Sequence, residues 1–117
     1  MIALPAGIRV VVTTRPVDFR KGMDGLAALV QQSLAMSPFS GDVFVFRSRR
    51  ADRVRILVWD GTGLVLYQKR LEAGRFVWPA VADGTMTLTA AQLSALLDGV
   101  NWRRVKALQV VPPAKAC

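Results

Sequence analysis

The order of apolar and polar positions along this chain changes period three times. Residues 8–14, IRVVVTT, are β-branched and predict a strand that Pro16 stops. From Met23 the apolar positions Leu26, Leu29, Val30 and Leu34 recur at helical spacing. A helix is therefore expected over roughly 22–36, with Asp18 as the entry residue of the preceding DFRKG turn, and Pro38 and Gly41 mark its end. The pattern then shortens to the strand period. Residues 42–48, 53–60 and 63–71 predict three strands in succession, joined by RRAD and by Asp60-Gly61-Thr62-Gly63, whose glycines supply the positive φ of a hairpin. GRFVWP at 74–79 reads as a short fourth edge strand, because Pro79 cannot donate to a ladder. Thr89 with Gln92 forms a capping-box pattern, Leu93, Leu96 and Leu97 form an apolar stripe, and Gly99 closes this second helix. A further strand or tail follows from Arg103, with Pro112 and Pro113 marking the end of order.

These elements predict an α+β fold: a small antiparallel meander sheet of about three to five strands packed with two helices. The 117 residues suit one core, so residues 1–111 are expected to form a single domain and 112–117 a short C-terminal tail. No apolar run approaches the ~20 residues of a membrane span. The start, MIALPAGIRVVV, has neither a basic leader nor a clear cleavage site, so no secretory signal is expected. The single cysteine, Cys117, excludes an internal disulfide and a cysteine-based zinc site, and it fits a reducing cytoplasm.

Charge adds the most to this picture. Sixteen Lys and Arg face eight Asp and Glu, giving +8 without any histidine, and twelve of the cations are arginine, whose planar fork matches phosphate oxygens. Five arginines fall within RSRRADRVR, residues 47–55, between the apolar runs VFVF and ILVW. With loop 49–52 and a turn at 61–62, Phe44 faces Leu57, Phe46 faces Arg55, Arg53 faces Arg70, Arg55 faces Gln68 and Trp59 faces Leu64. That register gathers Arg47, Arg49, Arg50, Arg53, Arg55, Lys69 and Arg70 at one end of the meander, with only Asp52 to offset them. Arg53 opposite Arg70 costs a few tenths of a kcal/mol up to about 1 kcal/mol in repulsion. An anion would relieve it. Two readings stay open: a phosphate-binding basic ribbon, or a solvated tip that blocks aggregation.

A second basic patch, RPVDFRKG, sets Arg15, Arg20 and Lys21 just ahead of a helix N-terminus, where cations are disfavoured but a phosphate is favoured. Alternatively Asp18 pairs locally with Arg20 or Lys21 and the turn is structural. Trp59, Phe76 and Trp78 could stack on bases, but aromatic residues in strands are more often core. Only Trp78, beside Arg75 and Pro79, is a candidate contact.

Enzymatic readings fare badly. Without histidine there is no His-dependent hydrolase, no imidazole base and no His-ligated metal. A metal-dependent nuclease needs two or three converging carboxylates, yet Asp42, Asp52, Asp60 and Asp98 sit in turn or helix-end contexts. No acid stands two residues before any lysine, and no GxxxxGK occurs. The expectation is a non-enzyme with no catalytic residue, metal or cofactor.

The segments PVDFRKGMDGLAALV, FVFRSRRADRVRILVWDG, LYQKRLEAGRFVWP and LTAAQLSALLDGVNW, in that order over about residues 8–103, resemble the small TnpB-type accessory protein of insertion-sequence-66 transposable elements. Asp18, Arg20, Lys21, Gly22 and Gly25 match the family's first motif. Arg49, Trp59, Asp60 and Gly61 match the second, and Lys69, Arg70, Leu71, Phe76, Trp78 and Pro79 match the third. The family pattern often tolerates variation at Arg50 and Arg55. The resemblance implies a protein encoded beside a separate, larger transposase and needed for efficient transposition.

Residues and resemblance together lead to a non-catalytic, cytoplasmic accessory protein that binds element-end DNA and assists the transposase. Its candidate nucleic-acid-binding residues are Arg20, Lys21, Arg47, Arg49, Arg50, Arg53, Arg55, Lys69, Arg70 and Arg75. The alternative is a protein-interaction module that binds the transposase or another acidic partner without contacting DNA. An RNA-binding regulator ranks third, since no RNA-recognition-motif aromatic signature is present. Two helices are few for a sheet that is apolar on both faces near Trp59 and Leu64, so a homodimer or a transposase-bound state is one way to bury the remainder.

Overall fold

A computed structural model describes residues 7–80 and 84–105. Five strands form one sheet: β1 (Val10–Thr13), β2 (Val43–Arg47), β3 (Arg53–Trp59), β4 (Leu64–Arg70) and β5 (Thr85–Leu88). Two helices, α1 (Met23–Ser33) and α2 (Ala90–Leu97), and a short 3₁₀ turn at Trp102–Arg104 complete it.

The α+β class holds, with one change of orientation. The spatial order is β4-β3-β2-β1-β5, and β1 pairs parallel with β2 while the other pairs are antiparallel. The sheet is therefore mixed. The cause is α1, which carries the chain back across the sheet between β1 and β2, as a parallel neighbour requires. The unbroken VVV of β1 is also the signature of a strand covered on both faces, and all four of its residues are buried. The register of the meander agrees with the sequence pattern at every pair named above, from Phe44 opposite Leu57 to Trp59 opposite Leu64.

Because side chains alternate, each sheet face feeds a separate core. On one, Leu26, Ala27 and Val30 of α1 pack on Val11, Phe44, Phe46 and Leu57. On the other, Leu93, Leu96 and Leu97 of α2 join Phe76, Trp78 and Trp102 over Val10, Val12, Val43, Val45, Val54 and Ile56. Segment 71–80 and the 3₁₀ turn add to the cover that α2 gives this face, whereas β4, which pairs with β3 at the Trp59–Leu64 end, has no buried residue. The large apolar side chains left exposed, Phe39, Val65, Met86 and Val100, lie on four different segments.

Two further expectations change. Residues 74–79 are irregular, and the strand that follows them is β5, which pairs with β1. Gly22, not Asp18, stands at the N-cap of α1. Of the strand or tail expected from Arg103, Arg103 and Arg104 belong to the 3₁₀ turn, and residues 106–117 lie outside the described residues.

Helix α2 follows its caps closely. The Thr89 hydroxyl accepts from the Gln92 N–H at 3.1 Å while the Gln92 side chain accepts from the Thr89 N–H at 2.9 Å. At the other end Gly99, with φ +75°, lets its own N–H reach the Leu96 carbonyl and that of Val100 reach Ala95. Thr89→Ala removes the hydroxyl that accepts from the Gln92 N–H and is expected to lower the unfolding free energy by about 1 kcal/mol in urea titration. An unchanged midpoint would show that packing alone holds this helix.

Candidate nucleic-acid interface

The turn between β2 and β3 is the sharpest feature of the arginine-rich end. The Ser48 N–H donates to the Arg53 carbonyl at 3.2 Å, the Ala51 N–H donates back to the Ser48 carbonyl at 3.2 Å, and Ala51 adopts φ +66°. That left-handed residue turns its carbonyl inward. There it accepts from the Phe76 N–H at 2.9 Å and from the Trp78 indole N–H at 3.1 Å. The Asp52 carbonyl accepts from the Leu71 N–H at 2.9 Å. The 71–78 segment thus clamps the tip from one side, and Trp78 is a core residue rather than a contact surface.

From the other side comes the loop that precedes α1. The Val17 N–H donates to the Arg47 carbonyl at 3.0 Å, which joins the two basic stretches that lie some thirty residues apart in sequence. Arg55 holds the same loop: its guanidinium donates to the Lys21 carbonyl at 2.6 Å and to Gln68 at 2.7 Å, and lies 4.7 Å from the Phe19 ring centroid. Within the loop, Asp18 accepts from the Arg20 backbone and guanidinium at 2.8–3.1 Å. Those bonds hold the Asp18 carboxyl down at about 2 and push the Arg20 guanidinium up, so the pair stays charged throughout the physiological range. The local pairing considered for this turn is therefore present.

The ten candidate cations separate into two groups. Arg47, Arg55 and Lys69 serve the fold. Arg47 lies beneath the tip, 5.7 Å from the Trp78 ring centroid, and burial lowers its pKa. Lys69 donates to the Leu97 carbonyl at 2.7 Å, closing the C-terminal end of α2. The remaining seven stay at the tip. Arg20, Arg49, Arg50 and Arg53 line a cleft of about 540 Å³ between loop 16–20 and the hairpin, and Arg49, Arg50 and Arg75 line an adjoining one of about 330 Å³. Lys21 is the exposed neighbour of Arg20. Arg70 stands directly opposite Arg53, 3.9 Å from Glu72.

Arg49, Arg50 and Arg75 are exposed and form no ion pair or side-chain hydrogen bond among the described residues. Asp52, which lines both clefts, is half-buried. The wall formed by Pro16, Phe19 and Ser48 was not foreseen from sequence, because nothing local indicates that the 16–20 loop closes onto the tip. Among the described residues no group of three His, Cys, Asp or Glu comes together as metal ligands do, and no helix is long and apolar enough to cross a membrane.

A small mixed-sheet α+β protein that holds its surplus arginines at one end is the class these features define. The chain belongs to the family of IS66 Orf2-like proteins, whose sequence model matches residues 8–107, and so to the transposition-associated products of insertion sequences of that type. It is 47% identical over 115 residues to the uncharacterized protein y4jC of Sinorhizobium fredii, covering 98% of each chain. It is 43% identical over 102 residues to the uncharacterized protein y4hO of the same organism, covering 86% of this chain and 89% of that one. No solved structure matches the chain. Of the residues that carry the family resemblance, Trp59, Asp60, Gly61, Lys69, Phe76 and Trp78 have structural work. Trp59 packs edge-on to Phe39 at 5.5 Å, and Asp60 ties its turn through the N–H groups of Thr62 and Gly63, bonds that lower its pKa. Arg49 has no such task.

The division between structural and free cations is testable at Lys69. Lys69→Met keeps the stem and deletes the bond to Leu97, so unfolding should become easier by about 1 kcal/mol in urea. A variant as stable as the parent would return Lys69 to the free group.

Proposed function

We propose that this protein is a non-catalytic, cytoplasmic accessory factor of transposition that binds element DNA through the arginine-rich end of its sheet and assists a separate transposase. The observation that carries the reading is the set Arg49, Arg50 and Arg75, which converge around two adjoining clefts without partners among the described residues. Stability alone favours dispersing such charges or pairing them, and here Arg53 also sits opposite Arg70. Phosphates relieve both costs. Arginine forks match them bidentately, and a tip that projects from a rigid sheet can straddle a strand of backbone.

Four or so simultaneous phosphate contacts are expected from the exposed cations, which corresponds to a log–log salt slope of about −3.6 for duplex binding. Replacing Arg49 and Arg50 together by Ala should lower the magnitude of that slope by about 1.8 and weaken binding to all sequences alike. Fluorescence anisotropy with element-end and random duplexes across a salt series measures both. Negligible DNA binding by the parent, together with loss of transposase association in the double variant, would instead identify a protein-interaction module. A double variant unchanged in both respects would reduce the tip to a solvated turn.

The non-catalytic part of the proposal rests on the donor set. A separate transposase supplies the chemistry in this reading, and of the eight acids of this chain Asp42, Asp52, Asp60 and Asp98 sit in turn or helix-end contexts rather than converging as metal ligands do. Purified protein supplied with Mg²⁺ or Mn²⁺ should leave supercoiled DNA carrying the element ends intact on a gel. Reproducible nicking that vanishes when one of those acids is replaced would overturn it.

A further inference from the structure

The sheet ends in two unlike edges. β5 is four residues long, whereas β4 runs for seven, Leu64–Arg70, none of them buried. Long edges are ordinarily blunted by charge, proline, a bulge or a covering segment. Over Leu64-Val65-Leu66-Tyr67 there is no charge and no proline, the register with β3 is unbroken, and among the described residues no strand lies beyond. The two cations of β4 stand at its far end and are drawn elsewhere, Lys69 to the Leu97 carbonyl at 2.7 Å and Arg70 towards Glu72 at 3.9 Å.

This bare edge has a definite hydrogen-bonding phase. The Asp60 N–H donates to the Gly63 carbonyl at 3.1 Å and the Leu71 N–H to the Asp52 carbonyl at 2.9 Å, so the odd-numbered residues from 63 to 71 bond towards β3. Alternation turns the N–H and C=O groups of Leu64, Leu66, Gln68 and Arg70 outward, and no hydrogen bond joins these groups to another described residue.

Charge and phase together select the occupant. A parallel second copy would set Lys69 and Arg70 beside their own images, in a chain that already carries +8. An antiparallel copy centred on Tyr67 separates those cations. It also engages all four outward residues, pairing Leu64 with Arg70 of the second copy and Leu66 with its Gln68. In the same register Val65, 38% exposed, faces Lys69 of the second copy, and the half-buried Tyr67 faces its own image. The strand is complementary to itself in this one register.

We infer that β4 is a dimer interface, joining two five-stranded sheets into one through an antiparallel Leu64–Arg70 ladder. The inference stands apart from the DNA-binding reading and adds to it. The two arginine-rich ends come to opposite ends of the joined strands, their Arg70 backbones about 20 Å apart by strand rise. One dimer then holds two duplex segments rather than one.

The unaltered protein supplies the first test. Sedimentation velocity over a concentration series should show monomer passing to dimer, and amide exchange read by NMR should slow at Leu64, Leu66, Gln68 and Arg70 in step with it. A monomer at every concentration overturns the inference and leaves the edge to a strand of another protein. A dimer in which these four amides stay unprotected places the interface elsewhere. Full protection in the dilute monomer means that another segment of the chain covers the edge, and it too overturns the inference. Val65→Lys sets a cation opposite Lys69 twice in each dimer and should weaken association about ten-fold. Val65→Glu, at the same exposed site, should weaken it less, and equal effects would refute the register. With DNA, the parent should let a bead-bound duplex capture a labelled one, and Val65→Lys should lose that capture while still binding a single duplex in anisotropy. A dimer that binds duplex without capture refutes the bridging, whereas a dimer that binds no DNA refutes only the DNA-binding reading.

Discussion

The arginine-rich end depends on the Ala51 carbonyl. It sits at the apex of the β2–β3 turn, takes one hydrogen bond from the Phe76 backbone and another from the Trp78 indole, and so fastens the tip to the second core. Two donors converge there because Ala51 adopts a left-handed conformation that aims its carbonyl inward. An unclamped turn carrying Arg49 and Arg50, with Arg53 and Arg70 opposed behind it, would splay under its own charge. The clamp holds these cations in one place without neutralising them, and both clefts take their shape from it.

The remaining charge at this end is managed locally. Asp18 neutralises Arg20 in a two-residue loop pair, and Arg55 is drawn down onto Phe19 and the Lys21 carbonyl. Lys69 leaves the cluster to close α2. The fold thus uses some cations as struts to position others that have no partner. A protein selected only for solubility has no use for that division, because a surface arginine is as effective dispersed as gathered.

The extents of β2, β3 and β4, their pairing with one another, and both caps of α2 were legible because each follows from contacts within a few residues. Asp60-Gly61-Thr62-Gly63 sets a hairpin by its own backbone demands, and a two-residue side-chain period then fixes every cross-strand pair behind it. Other features depended on distant partners. GRFVWP has the composition of a strand, but the carbonyl of Ala51 and the α2 core claim its Phe76 and Trp78 before any sheet edge does. Tertiary context overrides propensity in such a segment. Asp18 looked like a helix entry by position, yet the guanidinium two residues on offered it a stronger, charged donor than a backbone N–H.

Sequence by itself determined that a basic, histidine-free α+β domain would carry a cluster of arginines at one end of a meander, since charge and the alternation of side chains are local properties. Only the tertiary structure decided that β1 runs parallel to β2, because that choice belongs to the crossover through α1 and to burial on both faces. It alone decided which cations remain free, because Arg47, Arg55 and Lys69 resemble their neighbours until Trp78, Phe19 and Leu97 are brought beside them. And it alone made a cleft, by joining Val17 to Arg47 across some thirty residues of chain, a contact that no periodicity records because its two halves share no element.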